Sequence, residues 1–321
     1  MYLEAPMKKE TKQFVFFTAA TALGIFAYNK IVNYTSTKKN LLSADNGEFY
    51  DWENGRIFYH ASGSGKPLLL IHDTNPGSSS YEWNKMVRKL SKNHKVYTLD
   101  LIGCGRSDKP NYHYTNYLYV QLISSFVKEV IQKKTDVVVS NISSSYVIMA
   151  NNLDKELFDK IILINPVSMR NLNQESDKNS KIKQLLFQLP LIGTFAYNVM
   201  NNPFLIDLNF RKLYFHSEQS INNEMKDTFY ESAHLDNSNG RYLYSSMMGN
   251  YLNTNLLHAV HQIDKPIYII GSKDLRNNTK TLGEYQDANE HFEIITLTNS
   301  NLYPQLEIPD RICTIVEHIC E

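Results

Sequence analysis

The sequence predicts an α/β fold, a mostly parallel sheet interrupted by a helical insertion and preceded by one membrane-spanning helix. Three observations carry that reading. From Gly47 to Pro166, and again from Pro266 onward, short apolar runs alternate with helical periods. Strands separated by helices make βαβ units, and those close into a parallel sheet with helices on both faces. Between Val167 and about Val260 the rhythm breaks into aromatic and Leu-rich helical stretches with no clear strand. Finally, Phe14–Tyr28 (FVFFTAATALGIFAY) carries no charge, and Ile31 and Val32 extend its apolar character.

That N-terminal run divides the chain. A bilayer-spanning helix needs about 20 mostly apolar residues, which residues 13–32 supply if Asn29 and Lys30 lie at the interface, where a lysine can snorkel. Residues 1–12 form a basic flank of the cytosolic type, 33–46 read as a polar linker, and the folded domain runs over 47–321. An uncleaved anchor, a cleaved signal peptide and a partner-binding helix all fit such a run. The flank Tyr-Asn-Lys-Ile-Val-Asn-Tyr has no small-x-small cleavage site, which favours the anchor. Lysines on both flanks leave the orientation of this single-pass reading open.

Within the domain each element has its own signal. Glu48–Trp52 and Arg56–His60 are strand-like runs joined by Glu53-Asn54-Gly55, an Asn-Gly hairpin turn. Leu68–Ile71 is an unbroken apolar run of the kind a fully buried strand shows. Tyr81–Leu90 repeats at helical spacing through Trp83, Met86, Val87 and Leu90. Strands follow at Lys95–Leu99, Asp136–Val139, Lys160–Asn165, Pro266–Gly271 and Phe292–Thr296. Helices follow at Tyr117–Gln132, Tyr146–Asn152, Lys280–Asn289 and Asp310–Glu317.

Composition excludes several classes. Lys plus Arg and Asp plus Glu are equal at 33 each, so the basic excess of a nucleic-acid binder is missing. Cys104, Cys313 and Cys320 are too few for a disulfide framework and show no zinc-ligand spacing. The expectation is no metal and no cofactor.

Several local patterns occur in the order of a known family. They are Leu68-Leu-Leu-Ile-His72 followed by Asp73, then Ser79-Ser-Tyr-Glu-Trp83, then Asp100-Leu-Ile-Gly-Cys-Gly-Arg-Ser-Asp-Lys-Pro110. Lys160–Pro166 and Ile270-Gly-Ser-Lys-Asp274 complete the set. Residues 47–321 thereby resemble the α/β-hydrolase fold. The resemblance implies eight strands, a helical cap at about 167–260 and a Ser–His–acid triad. Its nucleophile turn, G-x-S-x-G, corresponds to Val137-Val-Val-Ser-Asn-Ile-Ser-Ser-Ser-Tyr146. With Ser143 as nucleophile, Asn141 and Ser145 take the glycine positions; one residue earlier, Ile142 takes the nucleophile's place. A third reading is a serine-rich turn with no chemistry. Asp274 stands where the family has its acid, and the N–H groups of Thr74 and Ser144 where it has oxyanion donors.

The third triad member is missing. Aligning Pro304, Glu307 and Pro309 with the family's histidine loop puts Leu302 where the His belongs and Gln305 where a second His often lies. None of the ten histidines falls in that loop; His216 and His234 lie in the cap, where either one could reach the pocket. Asp73 replaces the family's oxyanion-turn glycine. Two functions remain: a membrane-anchored serine hydrolase of an apolar ester or amide, or an inactive relative that binds a ligand or partner. The aromatic cap (Phe187, Tyr197, Phe229 and others) suggests a small apolar molecule as the ligand. The membrane is the other expected partner, through the N-terminal helix, and a protein partner stays open.

Overall fold

A computed structural model describes residues 9–44 and 46–321. The first eight residues of the expected basic flank, and Asp45 of the expected linker, lie outside them. The strands are β1 (Glu48–Trp52), β2 (Gly55–Ser62), β3 (Lys66–Ile71), β4 (His94–Leu99), β5 (Thr135–Ser140), β6 (Phe158–Ile164), β7 (Ile267–Ser272) and β8 (Phe292–Leu297). They form one sheet in the order β1-β2-β4-β3-β5-β6-β7-β8, antiparallel where β2 meets β1 and β4 and parallel from β4 to β8.

The central strands are continuous apolar runs because helices cover both faces of the sheet. Leu69 and Ile71 of β3 face one core while Leu68 and Leu70 face the other; Val137 and Val139 against Val138 repeat this in β5. One face carries α3 (Asn116–Phe126), α4 (Ser143–Leu153) and α12 (Asn278–Ala288); the other carries α2 (Asn84–Leu90) and α14 (Pro309–Cys320). Short α13 (Pro304–Glu307) links β8 to α14.

Every regular element between β6 and β7 is helical, as expected for the cap. These are α5 (Met169–Leu172), α6 (Lys178–Gln188), α7 (Ile192–Met200), α8 (Pro203–Asn209), α9 (Asn223–Ser238), α10 (Arg241–Met248) and α11 (Leu257–His261), with a π turn at Phe210–Tyr214 and a 3-10 turn at Glu218–Ser220. Asp236 and Asn237 take left-handed conformations and kink the end of α9.

The N-terminal helix, α1 (Lys9–Thr37), runs five residues beyond the expected end at 32, and the segment 33–46 is not a free linker. Its polar side chains are docking groups on the cap. Asn29 Nδ2 donates to Leu191 O (3.1 Å) and Asn33 Nδ2 to Asn237 Oδ1 (2.8 Å). Beyond the helix, the N–H groups of Leu41 and Leu42 donate to the two carboxylate oxygens of Glu231 (2.8 and 3.0 Å). In packing terms the contacts with the cap therefore begin near Tyr28, not at Gly47, and cutting at residue 40 would remove the helix that leads Leu41 and Leu42 to Glu231.

The 100–110 turn fastens this arrangement. Asp100 is fully buried and accepts from Ser80 N (2.7 Å), Arg106 N and Arg106 Nε (both 2.8 Å). Burial opposes its charge, but the Arg106 guanidinium outweighs that and holds the carboxyl below its ordinary value. The same guanidinium stacks 3.7 Å from the Phe58 ring centroid and donates to Leu42 O (3.2 Å), so one side chain ties sheet, turn and N-terminal arm. Gly105, at φ +49°, brings its backbone against the Asp100 carboxylate, where a Cβ has no room. Gly105→Ala should cost about 2–4 kcal/mol through overpacking and left-handed strain. A urea denaturation midpoint equal to that of the native chain would contradict this account.

Candidate active site

The site lies at the carboxyl ends of β3, β5, β6 and β7, where open parallel sheets place their crevice. Its centre is the sharp connection from β5 to α4. The residue in the left-handed conformation there is Asn141 (φ +48°), directly after the last strand residue. Asn141 N extends the ladder to Ile164 O (2.9 Å), and Ser144 N donates back to Asn141 O (3.1 Å), which begins the helix. Asn141 thus occupies the apex of the strand-to-helix turn, the place from which the family presents its nucleophile.

This corrects the expectation for Ser143. The helix starts at Ser143, three residues earlier than Tyr146, so this serine belongs to the first helical turn. Its hydroxyl is fully buried, donating to His72 O and paired with Thr74 Oγ1, both at 2.7 Å. An amide at the apex and a hydroxyl sealed behind it provide no activated nucleophile.

The expected oxyanion donors are engaged as well. Ser144 N is used by Asn141 O, and Thr74 N donates to Asp73 Oδ1 (2.8 Å). Asp73, at the glycine position of the turn, is nearly fully buried. Its Oδ2 accepts from Tyr303 OH (2.8 Å), Asn75 Nδ2 (3.0 Å) and Asn141 Nδ2 (3.3 Å). The Asp73 side chain, beside the expected oxyanion donors, thus has four donors of its own. His72 is buried, and burial lowers its pKa; Nε2 accepts from Leu101 N (2.9 Å), so Nδ1 keeps the proton and faces Asp73 O.

Asp274 follows β7 as expected, but it is exposed and accepts from the backbone N–H of Asn299 (2.7 Å). It pins one loop to the next. Leu302 is buried with Ile206, Phe210 and Phe229 of the cap. Leu302 N donates to Leu213 O (3.4 Å) and Tyr303 N to Tyr214 O (3.2 Å), so the loop that carries the family's histidine here clamps the cap down. His234 lies between Tyr197 and Tyr230 with Nδ1 on Tyr230 O, and burial pulls its pKa down to about 4. His216 is exposed. Among the described residues, no imidazole is hydrogen-bonded to Asn141, Ser143 or Asp274.

Two residues of this centre escaped sequence reading. Glu82 is fully buried, its Oε2 accepting from Asp73 N (3.1 Å) and its Oε1 from Gln305 Nε2 (2.6 Å). Burial, then the neighbouring Asp73 charge, push its pKa up to about 8. Tyr303 is the other, its pKa raised well above the ordinary value by burial and then by Asp73. A glutamate inside an apolar helical period (Tyr81–Leu90) was the available signal for the first. A cavity of about 400 Å³ reaches Asn141 and Leu302, and Asn165, Arg170, Arg276 and Lys280 also line it. Phe187, Tyr197 and Phe229 are instead buried in the packing of the cap. Among the described residues, no three His, Cys, Asp or Glu side chains converge to hold a metal.

With this geometry in place, the comparisons agree with it at the level of fold. Residues 67–299 match the model of the α/β hydrolase fold family, and the chain belongs to that family. It is 25% identical over 108 residues to a 2-hydroxy-6-oxo-6-(2'-aminophenyl)hexa-2,4-dienoic acid hydrolase of Metapseudomonas resinovorans, covering 33% of this chain and 37% of that one. It is 33% identical over 88 residues to the mesoderm-specific transcript homolog protein of Homo sapiens, covering 26% of each. These matches span well under half the length of those curated relatives. Among solved structures, a serine hydrolase involved in carbazole degradation superposes with TM-score 0.70 at 16% identity, over 85% of this chain and 98% of that one. A membrane phospholipase A superposes with TM-score 0.67 at 17% identity over 98% of both chains.

A glutamic acid with a raised native pKa binds its proton more tightly when folded. Its stabilisation is complete below the ordinary value of 4.5 and is lost as pH rises towards about 8. Glu82→Gln copies the protonated form: its Oε1 can still accept from Asp73 N, and its amide can donate to the unpartnered Oε1 of Gln305. Urea denaturation should show the variant gaining stability over the native chain from about pH 5 to about pH 8. A difference independent of pH would rule out this role for Glu82.

Proposed function

We propose that this is a membrane-anchored α/β-hydrolase-fold protein that binds a small ligand without hydrolysing it. The observation that carries the reading is Asn141 at the apex of the turn, hydrogen-bonded to a buried Asp73 in place of a serine facing an empty oxyanion pocket. A Ser hydroxyl needs a base, and the loop that should bring one holds Leu302 against the cap. The hydrolase alternative rests on the activities named for the relatives and on Ser143. It would require Ser143 to leave His72 O and Thr74 and to recruit a base.

The cavity over Asn141 and Leu302 favours a polar ligand bearing negative charge, because Arg170, Arg276 and Lys280 line it with asparagines and outnumber its one carboxylate, Glu284. That differs from the apolar ligand suggested by the cap's aromatic content. For the anchor, the support is α1, which is long and apolar enough to cross a bilayer and almost wholly exposed over its apolar stretch. The superposition on a membrane phospholipase A over 98% of this chain is compatible with it.

The full chain in detergent should not be labelled by a fluorophosphonate probe, and Ser143→Ala should leave that result unchanged. Leu302→His alone should also fail to create labelling, because no hydroxyl stands at the apex. Labelling of the native chain that disappears in Ser143→Ala would establish the hydrolase instead.

A further inference from the structure

The first level at which α1 meets the cap is that of Tyr28 and Asn29. Asn29, a polar residue in an otherwise apolar stretch, donates to Leu191 O (3.1 Å) and accepts from Asn198 Nδ2 (3.0 Å). One residue earlier, Tyr28 packs edge-on against Phe195 at 5.2 Å between ring centroids. The part of α1 before this junction stands clear of the domain: Phe14, Phe16, Phe17 and Leu23 are each about 70% exposed. At 1.5 Å per residue, the uncharged run Gln13–Tyr28 is about 24 Å long, most of the thickness of a hydrocarbon core, with Lys9 and Lys12 beyond its far end. A bilayer spanned by that length would end beside Leu191.

Leu191 belongs to the corner between α6 and α7, and that corner is unusually apolar on its outside. Ile182, Leu185, Leu186, Leu189 and Ile192 are all exposed. An exposed patch of this kind on a soluble surface marks an interaction site. The preceding turns of α6 carry Lys178, Lys181 and Lys183, also exposed. A short helix with lysines at one end and exposed leucines at the other has the charge and apolar pattern of an interfacial membrane segment.

We infer that the α6–α7 corner is a second membrane contact, dipping into the same leaflet from which α1 emerges. The five apolar side chains enter the acyl boundary, and the three lysines lie among anionic headgroups. The Asn29–Leu191 and Asn29–Asn198 hydrogen bonds fix the corner to α1, so anchor and cap meet the bilayer as one body. This inference rests on the anchor reading of α1 and goes beyond it by giving the cap a lipid-facing side.

The test uses the full chain in phosphatidylcholine vesicles, with and without phosphatidylglycerol. A thiol-reactive fluorophore is attached in turn through Leu186→Cys, Phe17→Cys and Lys133→Cys. Lys133 precedes β5 at the end of the sheet away from the cap, and the native cysteines are all buried. Doxyl-labelled lipids should quench the Leu186 probe at least about twofold more than the Lys133 probe, more so with anionic lipid, as shallow insertion requires. The pair Leu185→Glu and Leu189→Glu should bring the Leu186 signal down to the Lys133 level while the Phe17 probe stays quenched. A quenched Phe17 probe beside a Leu186 probe no more quenched than Lys133 would overturn the inference and leave the anchor standing. Concentration-dependent self-association of Leu186 probes without lipid quenching would assign the corner to a second copy of the chain, also overturning it. An unquenched Phe17 probe would remove the anchor and the inference together.

Discussion

A buried carboxylate has to be answered by donors, and much of this site is arranged as the answer to Asp73. Its two oxygens take four donors: a backbone amide, two side-chain amides and a phenol. Breaking up such a set leaves an uncompensated charge, which costs several kcal/mol by general experience with buried ion pairs. The donors come from the turn after β3, the apex after β5 and the loop after β8. One side chain thereby holds three connections that the fold would otherwise leave free to move around a substrate.

The consequences spread outward from there. Because Tyr303 is drawn to Asp73, its backbone and that of Leu302 meet the π turn of the cap, and the aromatic cluster of Phe210, Tyr214 and Phe229 closes over them. On the other side, Asp73 N reaches Glu82, which is favoured in its neutral form beside that charge, and Gln305 completes the chain to Ser140. Catalytic sites of this fold depend on unsatisfied donors aimed at a place where charge will develop. Here the donors expected from sequence are already satisfied within the protein. Each of these bonds contributes to holding the turns around Asp73 in place.

Most of the fold was legible because it depends on repeating patterns. Apolar runs such as Val137-Val-Val and Lys160–Asn165 appear as buried strands, and the strandless stretch after Val167 appears as helices. The site was less legible, because one residue of register separates a nucleophile from a core hydroxyl. Counting from the glycine pattern put Ser143 at the apex. Counting from the one residue suited to a left-handed conformation directly after the strand would have put Asn141 there. The N-terminal boundary failed for a related reason. Asn29 and Asn33 were read as the polar margin of a span and the start of a linker, yet their spacing of four sets them on one helix face, where both bond the cap.

The two halves of α1 have different surroundings: the first stands clear of the domain and the second docks on the cap. From Phe14 to Phe26 it carries no charge, and the hydroxyls of Thr18 and Thr21 turn back onto the helix's own carbonyls. From Tyr28 onward polar groups appear at positions 29 and 33, and each finds a partner in the cap. The change in pattern therefore coincides with the point where the helix reaches the cap. Arg106 then holds the tail of the same segment through Leu42 O while neutralising Asp100 in the turn below. The most family-like motif of the chain therefore serves to join its most distinctive segment to the sheet, a mechanical role that persists whether or not the site above it performs chemistry.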